Sequence, residues 1–365
     1  VFQVNPLGVQ GDGLWVEGSG GRDPIDWNPD FLWESAGRVD DGGYTAELKI
    51  PLKTLRFPDT PVQDWGLQVT RRIQRNGYQA SWAPITRENA NTLAQAGKLE
   101  GLSGLKPGRM MEINPVMTAT RLGSWNDDLG SFGHSDPTGS FGLNMVYGIT
   151  SNLTLDATYN PDFSQVEADA GQITVNERFA IYLSEKRPFF LEGTDVFSMP
   201  RRLVYTRSIA NPVGAAKLSG KVGSFNVAYI GAVDDRNSGA DNPVVNFLRV
   251  KRDVGASSSI GAVYTDRSLF GTQFNRVLGA DGRFVLARRY TLEFLASTSA
   301  DRREGQTTDW GSLLYASFRR SSRSLSMSAS FEDISDDFHA RSGFIRRLGV
   351  TQVEGRTGYT FRGGP

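Results

Sequence analysis

The sequence predicts an all-β protein: a partial β-sandwich over residues 1–104, a linker at 105–109, and an antiparallel transmembrane β-barrel over 110–365. Three observations predict the barrel. First, segments of about nine to eleven residues alternate an apolar face with a small, polar or charged one, the writing of a strand with one greasy and one wet side. Second, Tyr and Phe sit near segment ends at Tyr147, Tyr159, Tyr264, Tyr290, Phe331 and Tyr359, as in an interfacial aromatic girdle. Third, short turns alternate with longer polar loops, the asymmetry of outer-membrane barrels. A soluble sandwich also alternates, with its apolar face turned inward, but these segments outnumber what one small sandwich needs.

The elements follow in order. Residues 1–4 read as a strand, 18–29 as a Gly/Asp/Pro-rich loop, 31–39 and 44–50 as a hairpin turned at Asp40-Asp41-Gly42-Gly43, and 65–72 and 79–82 as further strands. This unit holds five of the seven Trp residues. Beyond the linker the alternation is plainest at 324–332, where Leu325, Met327, Ala329 and Phe331 interleave with Ser324, Ser326, Ser328 and Ser330. That spacing predicts the first set facing lipid and the serines facing the lumen. Tight turns are expected at 222–224, 255–256, 288–289 and 321–322, and long loops at 123–137, 234–242, 266–275, 300–309 and 333–342. The chain opens in what reads as mid-strand and closes without a clear final strand, so the expectation is a fragment cut at both ends.

Composition narrows the function. Forty basic and forty acidic residues give no net charge, which argues against nucleic acid as a partner. There is no Cys, hence no thiolate metal site or Cys nucleophile, and two His are too few for a His-built metal cluster. No apolar run is long enough for a membrane-spanning helix. No nucleophile elbow, P-loop or zinc motif is present, so the chain is not expected to be an enzyme.

One segment breaks the strand rhythm. Residues 160–169 read N-P-D-F-S-Q-V-E-A-D and 185–193 read E-K-R-P-F-F-L-E-G, dense in charge. With V-F-Q-V-N-P-L-G at 1–8, W-E-S-A at 33–36, Y-T-A-E-L-K-I-P at 44–51, L-R-F at 55–57 and D-W-G at 64–66, these motifs make the chain similar, over essentially its whole length, to bacterial outer-membrane proteins termed carbohydrate-binding family 9 domain-containing, whose C-terminal part is a barrel domain of unknown function. The resemblance implies a periplasmic sandwich of carbohydrate-binding type joined to a barrel in outer-membrane lipid, with a role in binding or transport at the cell envelope. It implies architecture more than activity. The alternatives are a soluble or surface-attached glycan-binding protein and a glycosidase-associated enzyme.

Candidate site residues follow from their chemistry. Exposed indole rings stack on sugar faces, and Trp15 and Trp27 flank the Gly-rich loop, whereas Trp33, Trp65 and Trp82 read as core. Asp23, Asp26 and Asp30 offer oxygen ligands to calcium, although their spacing fits no defined loop and an Asx-rich turn explains them better. Glu167, Asp169, Glu185, Lys186, Arg187 and Glu192 read as a paired charge cluster in the barrel lumen rather than as a carboxylate pair for glycoside hydrolysis. Lipid cannot solvate them, and a solvated loop has no use for the neighbouring Phe189, Phe190 and Leu191. The segment 160–197 is therefore expected to narrow or close the pore, with Lys186 and Arg187 paired to acids, chiefly Glu167, Asp169 and Glu192.

Overall fold

A computed structural model describes residues 1–15, 25–27, 29–86, 88–106, 108, 111–126, 130–163, 166, 179–235, 242–255, 257–269 and 273–361. Its dominant feature is one antiparallel sheet of twelve strands. In chain order these are β1 (Met111–Thr120), β2 (Thr138–Thr150), β3 (Leu153–Tyr159), β4 (Pro212–Val222), β5 (Phe225–Asp234), β6 (Val244–Val254), β7 (Ser258–Leu269), β8 (Gln273–Leu286), β9 (Tyr290–Arg302), β10 (Thr308–Arg320), β11 (Leu325–Ile334) and β12 (Val350–Tyr359). Each pairs with its predecessor, and among the described residues no pairing joins β12 to β1.

The strands run longer than their alternation alone suggests. Of the residues expected as loops at 266–275 and 300–309, 266–269, 273–275, 300–302 and 308–309 belong to β7 to β10. The polar residues that suggested loops are ladder members: Arg267 pairs with Asn275 and Asp301 with Asp309. Arg267, Asn275 and Asp301 are buried on the concave face, so their polarity marks an inward position.

Alternation assigns the two faces. On β11, Glu332 bonds to Arg201 and Ile334 is buried in the core, so the even residues point inward, the serines among them, and Leu325, Met327, Ala329 and Phe331 point outward. Continued along the registers, the outward face carries Tyr229, Leu248, Ile260, Leu278, Leu292, Leu314 and Phe318, all exposed. All six expected girdle aromatics share that face. The inward face is also apolar across the middle of the sheet, where Ile230, Val245, Phe247, Val263, Val277, Leu295 and Leu313 are fully buried.

They are buried because two connections fold back into the concavity. Residues 179–211, between β3 and β4, bring Phe190, Phe197, Leu203, Val204 and Ile209, and residues 335–345, between β11 and β12, bring Phe338. A short helix α1 (Pro188–Leu191) starts on Pro188, whose missing N–H costs nothing at a first helical position. Gly311 lets the second connection approach: a Cβ there would lie 2.3 Å from the Phe338 backbone.

Residues 1–104 form five separate two-stranded ladders: Phe2–Val4 with Gln10–Asp12, Leu14–Trp15 with Ile25–Asp26, Glu34–Asp40 with Gly43–Lys49, Val62–Leu67 with Gly97–Ser103, and Thr70–Ile73 with Tyr78–Ser81. Trp33 is buried and stands edge-on to Phe2, and Trp65 packs on buried Phe57. Trp82, expected in the core, is 59% exposed; its ring lies against Gly97, where a Cβ would come within 2.3 Å of it.

Gly311→Ala should unseat residues 335–345 at a cost of roughly 1–3 kcal/mol, the usual penalty of overpacking. Chemical denaturation of the refolded protein checks this, with Gly355→Ala, where a Cβ meets nothing, as the silent control.

Candidate functional site

The site is the filled concavity. Its wall carries three buried cations, and each does the same thing. On β4, Lys217 Nζ lies 3.0 Å from Asp156 of β3 and donates to the carbonyl of Phe189 at 2.6 Å. On β6, Arg249 forks onto both oxygens of Asp281 of β8, with Nη2 to Oδ2 at 2.8 Å, and its Nε donates to the carbonyl of Val196 at 3.2 Å. On β7, Arg267 donates to Asp234 of β5 at 3.0 Å and to the carbonyl of Ser208 at 3.0 Å. Every cation is thus neutralised by a wall carboxylate and clamps a main-chain carbonyl of the inserted segment. Burying an ion costs several kcal/mol unless it is paired and hydrogen-bonded, so each inserted carbonyl completes its site.

The geometry leaves little room around these groups. Arg249 is fully buried, and a Cβ at Gly261 would meet its guanidinium at 2.7 Å. A Cβ at Gly193 would come within 2.3 Å of Ser219 Oγ, so the chain can leave α1 there only as glycine, at φ +67°. The second connection is held similarly at the other end of the concavity. Asn275 donates to the carbonyl of His339 at 2.7 Å and accepts from the Arg341 amide at 2.9 Å, and Arg341 pairs with Asp301 at 2.7 Å. The connections also hold each other, Tyr205 N to Ser342 O at 2.8 Å and Phe344 N to Arg202 O at 2.7 Å.

The predicted charge cluster divides. Glu167 and Asp169 lie outside the described residues. Glu185 and Arg187 form a bidentate pair within the inserted segment, at 2.8 Å for both hydrogen bonds, and Arg187 adds the carbonyls of Ile209 and Thr206 at 2.6 and 3.0 Å and the face of Phe190 at 4.3 Å. Burial pushes the Glu185 carboxyl up, but the Arg187 bonds and charge and the Thr206 hydroxyl outweigh it and hold the group below its ordinary value. Asp195 goes the other way, raised by burial. Glu192 does not reach Arg187; it pairs with Arg56 of the N-terminal region. Lys186 follows Glu185, its amide donating to Glu185 Oε1 at 3.1 Å. The wall cations and their carbonyl acceptors were missed: Arg267 falls in a stretch expected as a loop, and nothing in a sequence marks a carbonyl as an acceptor.

The other predicted sites are placed as follows. Trp15 lies on the ladder opposite Ile25, and Trp27 directly follows that ladder, 43% exposed. Asp23 lies outside the described residues, Asp26 pairs in the ladder with Leu14, and Asp30 is exposed. Among the described residues, no three His, Asp or Glu side chains gather at metal-holding distance.

Two outcomes are expected. Arg249→Met should destabilise by roughly 3–5 kcal/mol by stranding Asp281, and adding Asp281→Leu should restore most of it; denaturant unfolding of both variants decides. Because the folded Glu185 pKa is depressed, its contribution is present above the ordinary glutamate range and lost as pH falls through the folded value. The melting temperature of the wild type should therefore fall more steeply on acidification than that of Glu185→Gln, a difference that cancels the opposite contribution of Asp195.

The comparisons with known proteins come to three findings. Residues 125–222, which contain β2 to β4, both charge-dense motifs and the inserted segment, match the family described as "Domain of unknown function (DUF5916)". No curated protein matches. Among solved structures the chain is similar to OmpT (in-vitro folded), an outer membrane protein of Vibrio cholerae, at 10% identity and a TM-score of 0.28, over 68% of this chain and 97% of that one.

Proposed function

We propose that this protein is an outer-membrane β-barrel whose lumen is closed by residues 179–211 and 335–345, with a glycan-binding-like module on the periplasmic side, and that it serves binding or gated transport at the envelope rather than catalysis. One observation carries the reading: strands β4 to β10 are apolar on both faces, yet only the inward face is covered. A soluble sheet does not leave so broad an apolar face to water. Outward charge on these strands is confined to their ends, with Asp266, Arg276 and Arg302 at one end and Arg252 and Arg320 at the other, which leaves an apolar band between them as lipid requires.

The N-terminal region meets the short turns. Ala90 N donates to Arg288 O at 2.6 Å, Arg289 pairs with Glu88 at 3.3 Å, and Asn91 donates to Ser257 Oγ at 2.7 Å. Short turns are the periplasmic ends of outer-membrane barrels, which supports a periplasmic place for this module. Its sugar-binding character rests on the sequence resemblance and on the exposed ring of Trp27. The buried cations and the filled concavity favour a closed resting state over a wide, open pore.

Met327→Arg, on the outward face of β11, should cost roughly 2–4 kcal/mol in a bilayer and Ser328→Arg, on the inward face, much less; refolding titrations into lipid vesicles give both numbers, and equal costs refute the lipid face. In planar bilayers the wild type should show low or rare conductance. Lys217→Met together with Arg267→Met, which free two inserted carbonyls, should raise it, and large, steady conductance in the wild type refutes the closed lumen.

A further inference from the structure

The two inserted connections build a surface that the closed-lumen reading does not use. The rings of Tyr182, Tyr205 and Phe344 form a triangle, each pair of centroids 5.4 Å apart. Three exposed arginines stand over these rings and over Phe179. The Arg202 guanidinium lies 3.9 Å from the Tyr182 ring centre, Arg346 lies 5.7 Å from Phe344, and Arg347 lies 4.5 Å from Phe179, three residues before Tyr182. The surface is drawn together by the Phe344 N–H donating to the Arg202 carbonyl at 2.7 Å. Burial raises the Tyr182 hydroxyl above its ordinary pKa, so it stays neutral and able to donate.

Charge balance sets these arginines apart. Among the other arginines of the inserted connections, Arg187, Arg201 and Arg341 each hold a carboxylate, Glu185, Glu332 and Asp301 respectively, and Arg207 donates to the Ser184 carbonyl at 2.9 Å. Arg202, Arg346 and Arg347 form no ion pair and donate no side-chain hydrogen bond among the described residues. Each guanidinium has five N–H donors in a fixed fork. Contact with a ring face uses none of the N–H donors, and a guanidinium fork with unused donors can grip phosphate in a bidentate way. Two arginines over the ring triangle and a third, next in sequence to one of them, over Phe179, with no ion pair among the described residues, suit an anion with more than one charged group better than a monovalent one.

We propose that Arg202, Arg346 and Arg347, seated on Tyr182, Phe344 and Phe179, form a binding site for a soluble solute carrying two or more phosphate groups. The inference goes beyond the membrane reading and does not require the lumen to open.

Calorimetric titration of the detergent-solubilised, refolded protein with sodium pyrophosphate tests it, with orthophosphate as the single-phosphate comparison. Pyrophosphate should bind saturably, and tighter than orthophosphate by about tenfold or more, a free-energy difference of about 1.4 kcal/mol. The triple variant R202A/R346A/R347A should lose that binding, and the triple lysine variant should recover only part of it, because lysine keeps charge but not the fork. Arg71→Ala, which removes an arginine stacked on Tyr44 in the N-terminal region, should leave it unchanged. Heat-modifiable migration of the variants establishes that the fold survives. No saturable binding at millimolar pyrophosphate, equal affinity for both phosphates, or full binding by a folded triple-alanine variant would each overturn the proposal.

Discussion

Three cations buried in a β-sheet are the constraint on which this architecture turns. Lys217, Arg249 and Arg267 sit on inward positions of β4, β6 and β7 with almost no access to solvent. Isolated, each would carry a desolvation penalty that no single domain tolerates easily. Cross-strand carboxylates at Asp156, Asp281 and Asp234 answer the charge, and carbonyls of an inserted segment answer the remaining donors. Wall and insert are therefore one cooperative unit. Without the insert the cations lose acceptors, and Phe247, Val263, Val277 and Leu295 lose their cover. With a different wall, the carbonyls of Phe189, Val196 and Ser208 would be buried without donors.

The same logic explains a gradient around the sheet. Where the insert touches, from β4 to β10, inward positions hold apolar residues, paired charge and buried Ser, Thr and Asn. Away from it the inward face turns hydrophilic. The registers place Glu112, Asn114 and Thr118 of β1 and Gln352, Glu354 and Arg356 of β12 on that side, all exposed but the half-buried Thr118. Outward positions on those same strands stay apolar, with Met111, Ile113 and Met117 on one edge and Val353 and Tyr359 on the other. The outward face thus has one character throughout, as a single surrounding medium demands, while the inward face changes with what lies against it.

This gradient also marks how far the sequence can be read. At 324–332 strict Ser-apolar alternation is legible because the inward neighbours are polar. On β6 and β7 the inward face holds Val245, Phe247 and Val263, the two faces look alike, and period-two reading loses its contrast. Asp266, Arg267, Asn275 and Asp301 misled in the opposite sense: clustered polar residues suggest a loop, but here they are ladder members at strand ends, three of them turned onto the insert. The segment 160–197 stood out because it is charged and carries Phe189-Phe190, yet its continuation to 211 and the second insert at 335–345 did not. Phe338 and Ile209 are single apolar residues in polar surroundings, and their burial depends on Gly311 and on strands distant in sequence.

Arginine shows why side-chain identity alone does not assign a role in such a structure. Arg249, Arg187 and Arg202 carry the same charge on chain segments of similar composition. Arg249 is locked on both edges of its fork by Asp281 and has no freedom left. Arg187 spends its donors on Glu185 and two carbonyls and fixes the course of its own segment. Arg202 stacks on Tyr182 and keeps its donors. The first two stabilise because their polar groups are saturated in a low-dielectric interior, where an unsatisfied donor is most costly. The third is tolerated unsaturated because water reaches it, and that same access leaves it free to exchange water for an anion. Saturation of the donors, set by burial and by the acceptors that folding brings, separates structural from recognitive arginines here.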